Sequence, residues 1–286
     1  MSWQLLTAIS VLFLSASIIL QRVLLSGKKI DVYLYVVLFQ ALVGIVIGIY
    51  AILAGIANPD LNGLWLVSIA CVVLYGVGHI FYAKTLQNVD ASVFSVLFAS
   101  HAIWMMLIGV LVFSEELTLA QIIGSALIFL SIFIIANRKS WQRSRAGLIY
   151  GLITGVLFGL AITTWTYVGG RVETISWAAW SFIGAAAVAL AFRPQTASKI
   201  LPFLKGDRKS LYRMLLLAIV YGIGSLAMLY AYIFGSLSLV SPLRQVGIIV
   251  TVLMALAILP GERTSIVRKI IAALVSFVGA VLIIIG

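Results

Sequence analysis

Charge is what this sequence has least of. Asp, Glu, Lys and Arg make up 9% of its 286 residues, against about a quarter in a soluble domain. Hydrophobic residues reach 63% and the mean hydropathy is +1.20, so water cannot be the main solvent of the surface. Cysteine is almost absent: the lone Cys71 lies in an apolar run, which excludes an intramolecular disulfide and a Cys-rich metal site. Acids are missing from the interiors of the apolar runs. All of them, Asp31, Asp60, Asp90, Glu115, Glu116, Glu173, Asp207 and Glu262, fall at or beyond run ends. No carboxylate is therefore placed to relay a proton or hold a multiply charged cation at mid-membrane, while facilitated exchange or a His-based relay stays open. Paired carboxylates, HExxH, GxSxG and the GxxxxGK[ST] phosphate loop are also missing. The expectation is a chain that is not an enzyme, uses no ATP, and carries no cofactor or metal.

What is present is a succession of apolar runs, each near the roughly 20 residues that cross a bilayer. Bounded by Gly, Pro, Asn or charge clusters, they lie at 3–25, 32–55, 64–86, 91–113, 119–136, 148–168, 175–192, 211–234, 237–259 and 267–285. Lipid-facing backbone must satisfy its own hydrogen bonds, and barrel strands would be alternating segments of about ten residues. These runs are longer and do not alternate. The fold class expected is all-α integral membrane, ten transmembrane helices, with the first run a retained span and no signal peptide. Gly44 with Gly48, and Gly151, Gly155 and Gly159, mark helix-packing seams.

The net charge of +11 has a topological reading. Lys and Arg form no continuous tract with interleaved aromatics, which argues against nucleic acid as a partner. With the connections numbered in order, the odd ones hold Arg22, Lys28, Lys29, Lys84, Arg138, Lys139, Arg143, Arg145, Arg193, Lys199, Lys205, Arg208, Lys209, Arg213, Arg263, Arg268 and Lys269, which is 17 of the 19 basic residues. Even connections hold Arg171 alone, and Arg244 lies inside a run. The positive-inside rule then puts the odd connections in the cytoplasm and both termini outside.

The two halves are related. Val11-Leu-Phe-Leu-Ser-Ala-Ser17 lines up with Val156-Leu-Phe-Gly-Leu-Ala-Ile162, Tyr75-Gly-Val-Gly78 with Tyr221-Gly-Ile-Gly224, and Glu116-Leu-Thr118 with Glu262-Arg-Thr264. Two repeats, 1–137 and 138–286, are expected. Five spans per repeat is an odd number, so the second copy enters the membrane from the opposite side. Inverted repeats build many secondary transporters, because exchanging the conformations of the halves turns an outward-open cavity inward. Duplication for bulk alone is the other reading.

At these residues the chain resembles the drug/metabolite transporter superfamily, EamA type. The marks are Tyr82-Ala-Lys-Thr-Leu86, Asp90-Ala-Ser92 and Ser114-Glu-Glu-Leu-Thr118, and in the second half Val240-Ser-Pro-Leu-Arg244 and Gly261-Glu-Arg-Thr264. The resemblance implies a ten-span carrier of two five-span repeats, in a bacterial inner (plasma) membrane, exporting or exchanging amino acids, metabolites, nucleotide sugars or drugs through a central cavity. Many ten-span relatives keep their termini inside, whereas the Lys/Arg distribution here says outside. Ten spans can enclose a cavity in one chain, so a monomer suffices and a dimer stays possible. Multidrug or lipophilic-cation efflux is an alternative, and a non-transporting scaffold or sensor is one of another class.

Candidate solute-binding residues follow from polar chemistry inside apolar runs. Arg244 is the one charge clearly within a span, the others lying close to run ends, and an intramembrane ionisable group usually faces a cavity; a guanidinium grips a carboxylate or phosphate in bidentate fashion. Snorkelling to the nearby interface, or capping a neighbouring helix, is the alternative. His79 and His101 lie near mid-membrane, where hydrogen-bonded packing is the competing role. Tyr75, His79 and Tyr82 share a helix face, as do Tyr221, Ser225, Met228 and Tyr232. Thr163 in the Thr163-Thr-Trp-Thr166 cluster, Trp104, Gln245 and Gln40 add polar handles, and Thr7, Ser10, Ser17 and Gln21 form a row on the first span. Ser and Thr in helices commonly bond their own carbonyls instead. Glu115, Glu116 and Glu262 read as markers of helix ends.

Overall fold

A computed structural model of the chain describes residues 2–26, 30–113, 118–135, 138–206, 208–235 and 237–285, with backbone alone at 113, 138–143, 237–239 and 241–242. The readings placed on Lys28, Lys29, Glu115, Glu116 and Asp207, and on the side chains of Arg138, Lys139 and Arg143, lie outside the described residues.

The described residues form helices without strands: α1 (Trp3–Leu25), α2 (Val32–Leu53), α3 (Trp65–Asn88), α4 (Ala91–Phe98), α5 (His101–Phe113), α6 (Leu119–Ile135), α7 (Arg138–Gly169, bent at Ser144), α8 (Thr174–Phe192), α9 (Ala197–Gly206), α10 (Arg208–Phe234), α11 (Leu237–Ile258) and α12 (Ile266–Ile285). Every apolar run of the sequence is helical over its described residues, the fourth as two helices. Among the described residues, eight stretches are long and apolar enough to cross a membrane, counting α4 and α5 as one, and α6 and residues Leu243–Ile258 of α11 are apolar but shorter.

Helix starts obey local chemistry. The Asp31 carboxylate accepts from the amides of Tyr33 and Leu34 at 2.9 and 3.2 Å and so caps α2, and Glu173 accepts from Ile175 at 3.5 Å to cap α8. Each supplies an acceptor to orphan N–H groups at the positive end of a helix dipole.

Three features depart from the sequence reading. The fourth run is two helices, broken at Ala99 and Ser100. The Ser100 hydroxyl donates to the Leu97 carbonyl at 2.7 Å, and His101 Nδ1 meets the Phe98 carbonyl at 2.6 Å, so side chains replace the missing rungs of the ladder. The long basic seventh connection contains a short helix, α9, and α10 starts at Arg208 instead of Leu211. Lys269, counted above with the ninth connection, is buried within α12 at 4% exposure because two acceptors hold it there.

The most extensive packing is between α1 and α10, α2 and α8, α3 and α7, and α6 and α12. Glycines permit the close approaches. A Cβ added at Gly124 would lie 2.5 Å from the Gly279 carbonyl oxygen, and one at Gly44 would lie 2.7 Å from Ile183. Gly151, Gly155 and Gly159 form the seam of α7 that faces Leu97, Ser100 and Trp104 of the broken fourth run.

Candidate functional site

A cavity of about 180 Å³ lies among α1, α2, α3, α4, α5, α7, α10 and α11, and an apolar cavity of about 150 Å³ already admits benzene. Its walls differ in chemistry. One is aromatic and centres on Phe158 of α7, whose ring meets Tyr75 at 5.6 Å, His79 at 4.9 Å, Tyr82 at 5.7 Å and Phe98 at 5.0 Å. Phe39 and Tyr221 extend it through an edge contact at 5.1 Å. The rest of the lining is in part polar, with Ser15, Ser17 and Gln21 from α1 beside Arg244, Gln245 and Thr251 from α11. Ser15 donates to the Gly247 carbonyl at 3.3 Å and ties these helices together.

Arg244 is the one fixed charge on the wall, and among the described residues no Asp or Glu lines the cavity. It hydrogen-bonds the Tyr232 side chain and lies within electrostatic reach of Tyr75, Tyr221 and His101. None of the ion pairs among the described residues includes it. Both histidines face a carbonyl of the preceding turn, His79 Nδ1 to Tyr75 at 2.9 Å and His101 Nδ1 to Phe98 at 2.6 Å. A carbonyl only accepts, so Nδ1 carries the proton in each ring and Nε2 is left for other partners. The arrangement offers an anion a guanidinium, an N–H or O–H donor two imidazole acceptors, and an apolar body an aromatic face.

Toward the end bearing the odd connections two polar layers follow. Gln21 accepts from the Tyr35 hydroxyl at 2.8 Å and donates to Tyr82 at 3.4 Å. Beyond it, Arg22 lies 3.8 Å from Asp90 and 3.4 Å from Glu262, and donates to the Leu86 carbonyl. Lys269 donates to Asp90 and to the Glu262 carbonyl, each at 2.6 Å. Glu262 accepts from the amides of Ala91 and Ser92 and from the Ser92 hydroxyl. Two cations and two anions thus join the ends of α1, α3, α4 and α12.

A sequence profile described as the EamA-like transporter family matches residues 1–137. Over these residues, just under half of the chain, the sequence is EamA-like. A solved structure, described only as the crystal structure of a protein, is similar over 98% of this chain and 96% of its own, with a TM-score of 0.62 and 15% identity. That likeness is one of fold. No curated protein matches the sequence.

In this EamA-like chain, six of the ten candidate residues stand on the cavity wall: Arg244, Gln245, His79, His101, Tyr75 and Tyr221. Two are one step behind, Tyr232 bonded to Arg244 and Ser225 bonded to Tyr221. Thr163 donates to the Gly159 carbonyl of its own helix at 2.9 Å and lies off the wall. Trp104 also lies off it: its Cβ faces Gly159 and the residue is 38% exposed. Of the first-span row, Ser17 and Gln21 reach the cavity, whereas Thr7 bonds the Trp3 carbonyl and Ser10 is buried elsewhere. Gln40 is fully buried away from the wall. Phe158, Phe39, Phe98 and Ser95 were not singled out by sequence, although Phe158 lies in the repeated Val-Leu-Phe segment.

Proposed function

We propose that this membrane protein is a secondary transporter, an exporter or exchanger, that moves a small organic solute bearing a carboxylate or phosphate by alternating access. The observation that carries the reading is Arg244 at a cavity wall where no described acid neutralises it. An anionic group would take the guanidinium in bidentate fashion, the histidine Nε2 atoms would accept from its N–H or O–H groups, and the Phe158 wall would hold its apolar part.

The packing pattern supports two inverted five-span repeats divided near residue 137. Exchanging the halves converts the α1–α10 pair into α7–α3 and maps α2–α8 and α6–α12 onto themselves, and these four pairs are the most extensive contacts. Detail follows the same exchange. Gly78 packs on Leu157 and Phe158, and Gly224 packs on Phe13 and Leu14, so the repeated Tyr-Gly-X-Gly segments each meet a repeated Val-Leu-Phe segment. In this reading the Arg22–Asp90–Glu262–Lys269 cluster is the closed gate of one side, cytoplasmic by the distribution of Lys and Arg.

A thermal-shift screen of purified protein against amino acids, organic anions, sugar phosphates and lipophilic cations tests the proposal, because a ligand that binds the folded state stabilises it by mass action. An anionic hit lost in Arg244→Ala, followed by flux in liposomes, is expected. Stabilisation by lipophilic cations alone would favour drug efflux and return Arg244 to a structural role. Binding without flux would favour a sensor.

A further inference from the structure

Outside the cavity, a second concavity opens where α6 ends and α12 begins. Ile134, Ile266, Val267 and Ile271 line it, with Arg263 and Arg268 among them. Its apolar part is open to the surroundings, Val267 being 71% exposed and Ile271 46%. Ser265, at φ 55°, turns the chain into α12 between the two arginines.

The arginines differ in what holds them. Arg263 donates from Nε to the Leu256 carbonyl and from Nη2 to the Ala257 carbonyl, both at 3.0 Å, which fixes it over the end of α11 and leaves Nη1 available. Arg268 has no hydrogen-bond or ion-pair partner among the described residues. The neighbouring carboxylate, Glu262, is turned inward to α4, and no described acid lines the groove. Lys269, one residue along, is committed to Asp90.

An apolar trough with two guanidiniums, at the boundary of a membrane span, matches the two ends of a phospholipid. Basic groups on a membrane protein near the bilayer surface attract anionic headgroups, and a zwitterionic headgroup would bring its own cation against the arginines. We propose that the α6–α12 groove binds an anionic phospholipid, with its phosphate on Arg268 and Nη1 of Arg263 and an acyl chain along Ile134, Val267 and Ile271. The site is separate from the solute cavity and independent of what that cavity carries.

The test is native mass spectrometry of the full chain from mild detergent, titrated with phosphatidylglycerol or phosphatidylcholine. Retention of phosphatidylglycerol in preference to phosphatidylcholine is expected. Arg268→Glu should weaken retention by about fivefold or more, the effect of roughly one interfacial charge or greater, with an unchanged melting temperature. Lys205→Glu, on exposed α9, should leave retention as it is, and millimolar inorganic phosphate should not compete. Equal retention of both lipids, no effect of Arg268→Glu, an equal effect of Lys205→Glu, or full competition by phosphate would each overturn the proposal.

Discussion

Glu262 caps a helix that begins 171 positions earlier in the chain: its Oε1 accepts the Ala91 amide at 2.8 Å. The same carboxylate takes the Ser92 amide and hydroxyl at 3.2 and 3.1 Å and faces Arg22. Removing one partner of a buried pair costs about 3–5 kcal/mol, whereas an amide keeps one acceptor for the cap. Glu262→Ala is expected to lower the melting temperature well below that of Glu262→Gln, read by tryptophan fluorescence. Equal losses would mean that capping is not what this side chain does.

Lys269 bridges Asp90 and the Glu262 carbonyl at 2.6 Å, so Lys269→Met should loosen the cluster proposed as a gate. Because Cys71 is the sole cysteine, Ser95→Cys can report on the cavity wall in a Cys71→Ala background. A polar thiol reagent added at the basic face should label it severalfold faster when Lys269→Met is also present. Unchanged labelling would deny the cluster a gating role.

Asp31 joins the start of α2 to Arg193 and Lys199, at 3.2 and 3.1 Å. Partial burial pushes its carboxyl up, but the Lys199 ammonium, the Leu34 amide and the Arg193 guanidinium outweigh this, and the net shift is downward from 3.8. A lowered carboxyl stabilises the fold above its unfolded value and loses that contribution as pH falls through the folded value. The melting temperature should therefore drop on acidification below about pH 4, and less steeply in Asp31→Asn. Parallel profiles would show that Asp31 contributes nothing to the acid response.

Arg244→Lys separates charge from shape. A lysine keeps the positive charge but loses the planar fork that meets two oxygens. If the solute's carboxylate or phosphate is gripped there, Arg244→Lys should weaken binding by about tenfold, the equivalent of about 1.4 kcal/mol, with Arg244→Ala weaker still. Full retention of affinity by the lysine variant would reduce Arg244 to a source of field alone.

Gly124→Ala tests a helix crossing in which backbone meets backbone. The added methyl would meet the Gly279 carbonyl oxygen at 2.5 Å, and backbone cannot rotate away as a side chain can. Overpacking of this kind costs about 1–3 kcal/mol, which a denaturation midpoint resolves. A neutral result would show that α6 and α12 slide freely.

Hydropathy located the helices because each apolar run needs the bilayer, and Arg244 declared itself because a charge in such a run is rare. Polar aromatic spacing likewise found Tyr75, His79 and Tyr221. What sequence hid was of two kinds. The break at Ala99 and Ser100 contains neither Pro nor Gly, and its substitutes are side-chain bonds from Ser100 and His101 that the composition does not announce. The burial of Lys269 and the inward turn of Glu262 depend on Asp90 and Ala91, distant in the chain. Phe158 was silent because a phenylalanine among apolar neighbours carries no mark of the space it faces. Trp104 lies one turn from His101, yet its Cβ sits on Gly159 and it is not part of the cavity lining.

The α6–α12 pair contributes no residue to the cavity wall, and its crossing is made of bare backbone at Gly124 and Gly279. The molecule thereby separates a chassis from a workplace. Changes on α1, α3, α10 and α11 can retune the cavity wall without disturbing this keel, and changes at its glycine crossing act on stability without touching that wall.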